Sequence, residues 1–287
     1  MVKVVNIGEN MKNKIKLSNN QDFTFNKGYG QNFIFDKTLL NSIAEDALIT
    51  KDDQVLEIGA GAGTLTQVLC DKAGKIVSYE IDKNLFDHLT RLQSKNDNLK
   101  MVFADFMSKT IDEVFADFDR PIKVVANIPY YITTPIIFRL MEKIDNIESI
   151  TIMVQKEVAE RIASHDTSEN SVLTYSILAL CDAKITRVVK RDMFTPPPNV
   201  DSAILMLTPH NNKYNIQDFD AFNNLVKHSF TARRKTLANN LSLSFGLAKQ
   251  EVEDMLQRLF DNKQIRAQEL SVQDYILLLN ELNKNRE

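Results

Sequence analysis

Short apolar runs alternate with amphipathic stretches along much of this 287-residue chain, and this alternation constrains the fold more than any other feature. Five β-branched runs bounded by turn residues have the length and composition of buried parallel strands. They are DQVLEIG (53–59), KIVSYEI (75–81), LKMVFAD (99–105), IKVVANI (122–128) and ESITIMVQ (148–155). The intervening segments TLTQVLCDKA, NLFDHLTRLQ and TIDEVFADF have helical spacing, and a further helix should begin near Lys156. The alternation predicts a doubly wound α/β sheet.

The chain changes character after this sheet. AKITRVVKRDMF and SAILMLT are separated only by FTPPPNVDS, which favours an antiparallel hairpin that ends the sheet. Four later segments carry apolar residues at positions i, i+3 and i+4. They are FDAFNNLVKHSF, KTLANNLSLSF, AKQEVEDMLQRLF and VQDYILLLNELNK. We therefore expect a flexible N-terminal tail over residues 1–27, a sheet domain over 28–209 and a small all-α domain over 210–287.

Composition narrows the class of protein. No segment approaches the roughly 18–20 apolar residues that a membrane span needs, and no apolar block of signal-peptide length opens the chain, so we expect a cytoplasmic protein. Cys70 and Cys181 lie far apart in apolar segments, which predicts buried, reduced thiols. The four histidines are scattered and no Cys-x-x-Cys occurs, so we expect no metal site.

Charge bears on whether the chain binds nucleic acid. The net charge is -3 at pH 7, so a nucleic-acid role would depend on local basic patches. Residues 1–40 contain six lysines and three acids, which fits either such a patch or a solvated tail. Arg233, Arg234 and Lys235 form the densest basic cluster, at the start of a predicted helix. Because cations are unfavourable at a helix N-terminus, this cluster either binds phosphate or is a solvated helix face.

A glycine-rich turn, VLEIGAGAGTLT (55–66), leads from the first strand of the sheet into a helix. Glycine lets the backbone turn tightly and lets a ligand approach without a Cβ in the way. A dinucleotide fingerprint needs its third glycine five positions after the first, where this chain has Thr64. Gly59, Gly61 and Gly63 are evenly spaced instead, which is closer to the S-adenosylmethionine-dependent methyltransferases.

Two carboxylates follow the next two strands. Glu80 ends the second strand, where an acid can bind both hydroxyls of a ribose, and Asp105 ends the third, where it can accept a hydrogen bond from an adenine amino group. An isolated acid at a strand end is more often a helix N-cap. A glycine turn and two acids at three successive strand ends together favour a nucleoside-containing ligand.

NIPYYITTP (127–135) ends the fourth strand, beside the predicted ligand. The side-chain oxygen of Asn127, with the carbonyl of Ile128 or Pro129, can accept hydrogen bonds from the exocyclic amine of a planar base. Tyr130 can stack on that base. A base inside a helix must first be extruded, at a cost of a few kcal/mol. Taken alone, the motif also fits an aromatic turn in which Pro129 ends the strand.

The chain resembles a known family through motifs that occur in a fixed order. They are GQNFIFD (30–36), EIGAGAGTLT, NIPYYITTPI (127–136), QKEVAER (155–161), FTPPPNVDSA (194–203) and RRKTLANNL (233–241). Together they are similar to the small-subunit ribosomal RNA adenine dimethyltransferases, the KsgA/RsmA family, over about residue 27 to the end. The related erythromycin-resistance methylases share the glycine turn and Asn-x-Pro-Tyr, but usually lack the wording of residues 129–136 and 233–237.

The resemblance implies a Rossmann-like class I S-adenosylmethionine-dependent methyltransferase sheet that forms the catalytic domain. Its methyl donor, S-adenosylmethionine, would bind seven positions of this chain. They are Asn32, Ile34, Gly59, Gly61, Glu80, Asp105 and Asn127. Asn32 and Ile34 would close over the donor with the two glycines, while Glu80 would hold its ribose and Asp105 its adenine.

The resemblance also implies the target. The catalytic positions would be Asn127, Pro129, Tyr130 and Phe194. Tyr130 and Phe194 would sandwich the adenine. The family dimethylates N6 of two adjacent adenosines in a hairpin near the 3′ end of small-subunit rRNA, in the assembling subunit. The helical domain would dock there, with Arg233, Arg234 and Lys235 as RNA contacts, and the protein would act as a monomer.

One segment departs from the family pattern. Residues 162–172 read IASHDTSENSV, where the family usually has a turn with glycine and tyrosine, so we assign no RNA contact there and expect no chemical role for His165. Two other functions stay open. One is methylation of large-subunit rRNA, as in the resistance methylases, and the other is ribosome assembly without essential catalysis.

Overall fold

The computed structural model describes residues 14–16, 22–24, 30–163 and 170–284. His165 and most of the tail predicted over residues 1–27 lie outside these ranges, so the predictions for them are not addressed. Two compact units make up the chain. Residues 1–159 and 184–209 form the first, here called the sheet unit, and residues 160–183 and 210–287 form the second, here called the helical unit.

A seven-stranded sheet forms the centre of the sheet unit. Its strands are β4 (Gln54–Ile58), β5 (Lys75–Glu80), β6 (Leu99–Phe103), β7 (Ile122–Ala126), β8 (Ile147–Gln155), β9 (Cys181–Val189) and β11 (Ser202–Pro209). Their order is β6-β5-β4-β7-β8-β11-β9. The first five are parallel to their neighbours, and β11 is antiparallel to β8. All seven predicted strands are confirmed, including the pair that ends the sheet.

Two pairs of short strands lie apart from this sheet. They are β1 (Lys14–Lys16) with β2 (Asp22–Thr24), and β3 (Phe33–Ile34) with β10 (Phe194–Thr195), both antiparallel. The second pair joins segments that are about 160 positions apart, and it places Phe194 opposite Ile34. The sequence patterns did not predict either pair, because strands of two or three residues carry no readable alternation.

Helices connect the strands of the sheet unit. They are α1 (Lys37–Asp46), α2 (Thr64–Lys72), α3 (Phe86–Gln93), α4 (Ile111–Phe115), α5 (Tyr130–Met141) and α6 (Lys156–Ala163), which continues into the helical unit. The Asp36 carboxylate caps α1, and Thr110 with Glu113 forms a capping box on α4. The core beneath is mainly apolar where strands and helices meet, as at Leu56 and Leu69, but it also buries the carboxyl of Glu57.

Both cysteines are free and buried, as predicted. Burial raises the pKa of each thiol to about 12, so neither Cys70 nor Cys181 forms thiolate near neutral pH.

The helical unit contains the four predicted C-terminal helices and one more. They are α7 (Val172–Leu180), α8 (Phe219–Ser229), α9 (Leu237–Phe245), α10 (Lys249–Phe260) and α11 (Val272–Lys284). The sequence assigned residues 160–183 to the sheet domain, whereas they belong to the helical unit. The reason is α7, whose buried Tyr175 donates a 2.5 Å hydrogen bond to the carbonyl of Leu270 and packs against the ring of Tyr275. No described helix is long and apolar enough to span a bilayer.

Candidate active site

A deep cleft opens in the sheet unit at the carboxyl ends of β4 to β7. It encloses about 1090 Å³, including the space at its open mouth, and its walls are mainly apolar. All ten residues predicted to bind a methyl donor or a target base line this one cleft. They are Asn32, Ile34, Gly59, Gly61, Glu80, Asp105, Asn127, Pro129, Tyr130 and Phe194. The fold thus brings together positions that span more than half of the chain, while their roles stay predictions.

The glycine turn forms one wall. Gly59 and Gly61 have φ values of +85° and +55°, which side chains other than glycine rarely adopt. A Cβ built on Gly61 would lie 2.8 Å from Cε1 of Phe33, closer than two carbon atoms can pack. At Gly61 the backbone of the turn therefore packs closely against Phe33, which belongs to the segment that covers it. A larger side chain at Gly61 could not be accommodated.

Glu80 lies at the end of β5 and is held by the backbone around it. Its Oε2 accepts a 2.7 Å hydrogen bond from the amide of Gly61, and its Oε1 accepts one of 2.7 Å from the amide of Asp82. The side chain is only 5% exposed. Burial raises the pKa of this carboxyl, and the two amide donors oppose the rise. Each oxygen has a further lone pair, so a fixed carboxylate can still accept hydrogen bonds from a diol.

Asp105 has two tasks in this geometry. Its Oδ1 accepts a 2.9 Å hydrogen bond from the amide of Met107 and so caps the short helix Phe106–Ser108. Helix capping, the commoner reason for an acid at a strand end, therefore does apply. Asp105 nevertheless lines the cleft, beside the buried ring of Phe106, and its second oxygen is available to a ligand.

The segment over the cleft is anchored at several points. The hydroxyl of Thr64 donates a 2.8 Å hydrogen bond to the carbonyl of Ile34, while the side-chain amide of Asn32 donates one of 3.1 Å to the carbonyl of Gly30. Gln31 donates a 2.8 Å hydrogen bond to Oδ2 of the buried Asp82. The sequence patterns predicted no role for Gln31, although it belongs to the motif GQNFIFD (30–36).

Asn127 and Pro129 lie between β7 and α5. Among the residues that the structure describes, no group hydrogen-bonds to the side-chain amide of Asn127 or to the carbonyl of Ile128, whereas the carbonyl of Pro129 accepts from the amide of Ile132 at 3.2 Å. Of the two carbonyls considered from the sequence, Ile128 is therefore the freer acceptor. Asn127 thus presents donors and acceptors to the cleft.

Tyr130 and Phe194, the two aromatic residues predicted to stack on the target base, line the cleft in different ways. Tyr130 is the first residue of α5, and its hydroxyl is 2.6 Å from the hydroxyl of Ser202. Burial raises the pKa of this phenol, so the hydroxyl stays protonated. Phe194 is only 3% exposed and is fixed by the pairing of its strand with Ile34. A planar ligand must therefore enter the cleft itself in order to stack on Phe194.

The predicted RNA contacts lie in the helical unit. Arg233, Arg234 and Lys235 are exposed and occupy the turn before α9, whose N-cap is Thr236. Buried Asn240 shapes this turn, because its amide donates to the carbonyl of Ser229 at 2.7 Å and its carbonyl oxygen accepts from the amide of Ala232 at 3.1 Å. The guanidinium of Arg233 lies 3.4 Å from the carbonyl of Asn170. Asn240 was missed, since a single asparagine in a helix carries no distinctive signal.

Within the described ranges, no group of three or more His, Cys, Asp and Glu side chains could hold a metal ion. The cleft is lined by amide, carboxylate, glycine and aromatic groups. A parallel sheet with a glycine turn after its first strand, an acid after its second and this cleft at the strand ends defines the class I S-adenosylmethionine-dependent methyltransferases.

Comparison with known proteins identifies the family. The sequence model described as "Ribosomal RNA adenine dimethylase" matches residues 22–284, and the chain belongs to this family. The family's activity makes the protein an S-adenosylmethionine-dependent rRNA adenine dimethyltransferase.

Curated relatives carry a more specific name. The chain is 38% identical over 266 residues to "Ribosomal RNA small subunit methyltransferase A" of Clostridioides difficile (strain 630), covering 91% of this chain and 92% of the relative. It is 40% identical over 274 residues to the protein of that name in Lachnoclostridium phytofermentans, covering 93% and 94%.

Two solved structures share most of the chain. A dimethyladenosine transferase from Plasmodium falciparum has a TM-score of 0.73 at 29% identity, with 88% of this chain and 98% of that chain covered. The 23S rRNA methyltransferase ErmE has a TM-score of 0.67 at 28% identity, with 88% and 100% covered. The fold is therefore shared with a dimethyladenosine transferase and with a 23S rRNA methyltransferase.

Proposed function

We propose that the enzyme dimethylates N6 of two adjacent adenosines in a hairpin near the 3′ end of 16S rRNA, within the assembling small ribosomal subunit in the cytoplasm. The observation that carries the reaction is the side-chain amide of Asn127, which has no hydrogen-bond partner among the described residues and lies in one cleft with Glu80 and Tyr130. The choice of the small subunit is supported by the names of relatives at 38–40% identity over more than 90% of the chain.

The cleft fits the methyl donor. Its two glycines leave room that a Cβ would fill, its buried carboxylate is fixed by backbone amides, and its remaining walls are largely apolar. We assign the donor to Asn32, Ile34, Gly59, Gly61, Glu80, Asp105 and Asn127. When bound, S-adenosylmethionine supplies a methyl group on a positively charged sulfur, which is reactive without a strong general base.

The protein's task is then to position the target amine. Asn127 Oδ1 and the carbonyl of Ile128 can accept hydrogen bonds from the two N–H groups of the target amine. These hydrogen bonds draw the nitrogen lone pair out of conjugation with the ring. Tyr130, held by Ser202, offers an aromatic face to the base, and Phe194 bounds the cleft near it. Stacking there offsets the cost of extruding the base from the hairpin. Pro129 stiffens the backbone that carries these acceptors.

In the helical unit, we propose that Arg233, Arg234 and Lys235 contact rRNA phosphates. The turn that presents them is fixed by Asn240, and all three side chains are exposed to solvent, where a polyanion can approach them. Their position just before α9 explains why three cations can occur together, since the unfavourable helix dipole would be offset by a bound phosphate.

Transfer of labelled methyl groups to purified, undermethylated 30S subunits tests this function, with 50S subunits and naked rRNA in parallel. Nuclease digestion then identifies the modified nucleoside. We expect dimethyladenosine in 30S subunits alone. Asn127→Ala should abolish transfer even at saturating S-adenosylmethionine, whereas Asn41→Ala, at an exposed site on α1, should behave like the wild type.

The other outcomes point to the remaining candidates. Label in 50S subunits or in naked large-subunit rRNA would refute the small-subunit assignment in favour of a reaction like that named for ErmE. Absence of label from every substrate, despite binding of the methyl donor, would refute catalysis and leave a role in ribosome assembly.

A further inference from the structure

Two neighbouring tyrosines of NIPYYITTP have different environments in the same cleft. Tyr130 is half-buried and its hydroxyl contacts Ser202. Tyr131 also lines the cleft but is 66% exposed. A single exposed aromatic ring is common on protein surfaces, so exposure alone has no functional meaning. What distinguishes Tyr131 is that it lies at the mouth of the cleft and directly follows Tyr130, which faces the proposed target base.

The backbone restrains where the ring of Tyr131 can lie. Tyr131 is the second residue of α5, and its Cε1 lies 3.4 Å from the point that a Cβ on Gly30 would occupy. The Cβ of Pro129 lies 3.3 Å from the same point. Among the described residues the phenol oxygen has no hydrogen-bond partner. One edge of the ring is therefore supported by protein, while most of its surface is in water.

We propose that Tyr131 is a stacking site for the nucleotide base next to the target base in the substrate RNA. This inference rests on the proposed function and adds a second base to it. When one adenine is extruded into the cleft, its neighbour loses a stacking partner and remains outside, one sugar-phosphate unit away. Tyr130 and Tyr131 line the same cleft, and the ring of Tyr131 is exposed at its mouth, where a base that stays outside the cleft can reach it.

Stacking suits this position because every base has an aromatic face and needs no hydrogen-bonding groups from the protein. The ring of Tyr131 is large, has few rotatable bonds and is already supported by Gly30, so little conformational freedom is lost on binding. For two adjacent target adenosines, the site would hold the second adenine at the mouth while the first is in the cleft. The ligand class is thus an unstacked purine in a single-stranded part of RNA.

The test compares Tyr131→Ala, Tyr131→Phe and a control, Phe86→Ala, at a ring that is 48% exposed and lies outside the cleft. KM is measured separately for 30S subunits and for S-adenosylmethionine. We expect Tyr131→Ala to raise the KM for subunits roughly tenfold, the effect of losing one base–aromatic stack, with the KM for the methyl donor within about twofold. Tyr131→Phe and the control should resemble the wild type.

A binding measurement separates this inference from the proposed function. A hairpin RNA with 2-aminopurine beside the target adenosine reports stacking by fluorescence quenching, whether or not methyl transfer occurs. Quenching by the wild type and by Tyr131→Phe, but not by Tyr131→Ala, is the expected result. Unchanged quenching in Tyr131→Ala, or an equal loss of affinity for the methyl donor, would overturn the inference. Absence of dimethyladenosine with the wild type would instead refute the proposed function.

Discussion

Replacing Gly61 with alanine tests whether the glycine turn is shaped by its contacts or only by its backbone conformation. Gly61 has a φ of +55°, and the new Cβ would lie 2.8 Å and 3.0 Å from two ring carbons of Phe33. That ring is buried in the core, so it cannot swing away cheaply. The amide of Gly61 also donates to Glu80, so a shift of the turn would move a proposed donor-binding group.

The magnitude follows from two separate costs. A non-glycine residue in the left-handed region loses about 1–2 kcal/mol, and an extra methyl group in a filled space typically costs about 1–3 kcal/mol. We therefore expect Gly61→Ala to lower the unfolding free energy of the sheet unit by about 2–5 kcal/mol. We also expect at least a tenfold weaker affinity for S-adenosylmethionine, because the turn and Glu80 move together.

Gly246→Ala is the matched control. Gly246 ends α9 with a φ of +67°, and a Cβ there would meet nothing within 4 Å. This variant should show the conformational cost alone, about 1–2 kcal/mol, with unchanged binding of the methyl donor. Native-state hydrogen exchange measures the stability of each unit, and calorimetry measures binding.

A Gly61→Ala variant that loses no more stability than Gly246→Ala and binds S-adenosylmethionine as the wild type does would contradict this prediction. Such a result would mean that Phe33 relaxes freely and that the close packing of the cover segment has no role in the cleft.

Three further predictions concern other parts of the protein. Asn127→Leu should lower kcat for methyl transfer at least a hundredfold, because leucine is similar in size but lacks the oxygen that would accept a hydrogen bond from the target amine, while calorimetry shows the protein still folded. Burial raises the pKa of Glu57 to about 7 from 4.5, so its contribution to stability is full below pH 4.5 and is lost as pH rises to about 7. Glu57→Gln should therefore gain about 3 kcal/mol relative to the wild type between pH 4.5 and 8, measured by urea unfolding. Arg234→Ala and Lys235→Ala should each reduce the slope of log affinity for 30S subunits against log salt by about 1, measured by filter binding.

Each of these has a control or a contrary outcome. Normal kcat in Asn127→Leu would remove that residue from the reaction. A wild-type stability that rises between pH 5 and 7 relative to Glu57→Gln would show that the buried carboxyl is ionised in the folded protein. Lys213→Ala, at a lysine paired with Asp182 at 3.1 Å, should leave the salt slope unchanged, and an equal change there would indicate a general charge effect.

Short sequence patterns predicted the strands and helices whose formation depends on residues close together in the chain. Buried parallel strands must be continuous apolar runs and surface helices must be amphipathic, so strands such as β4 and helices such as α2 were legible from the sequence. Helix α7 was not, because VLTYSILAL is apolar on nearly all sides and has no helical stripe. Its membership of the helical unit depends on the contact of Tyr175 with Leu270, which are 95 positions apart.

The candidate site shows the same division. The positions of Gly59, Gly61, Glu80 and Asp105 could be read from spacing, because parallel strands all end at one edge of the sheet. Asn127 followed for the same reason. That Asp105 also caps a helix could be stated only as an alternative, since capping depends on the conformation of the residues after it.

The doubly wound sheet and the groups proposed for methyl transfer could be predicted from residue type at short spacing. The pairing of Phe194 with Ile34, the hydrogen bond of Gln31 to Asp82 and the exposure of Tyr131 beside a half-buried Tyr130 could be seen only in the folded protein. Such contacts join segments that are remote in the chain, and their free energy depends on which surfaces remain for each side chain once the core has packed.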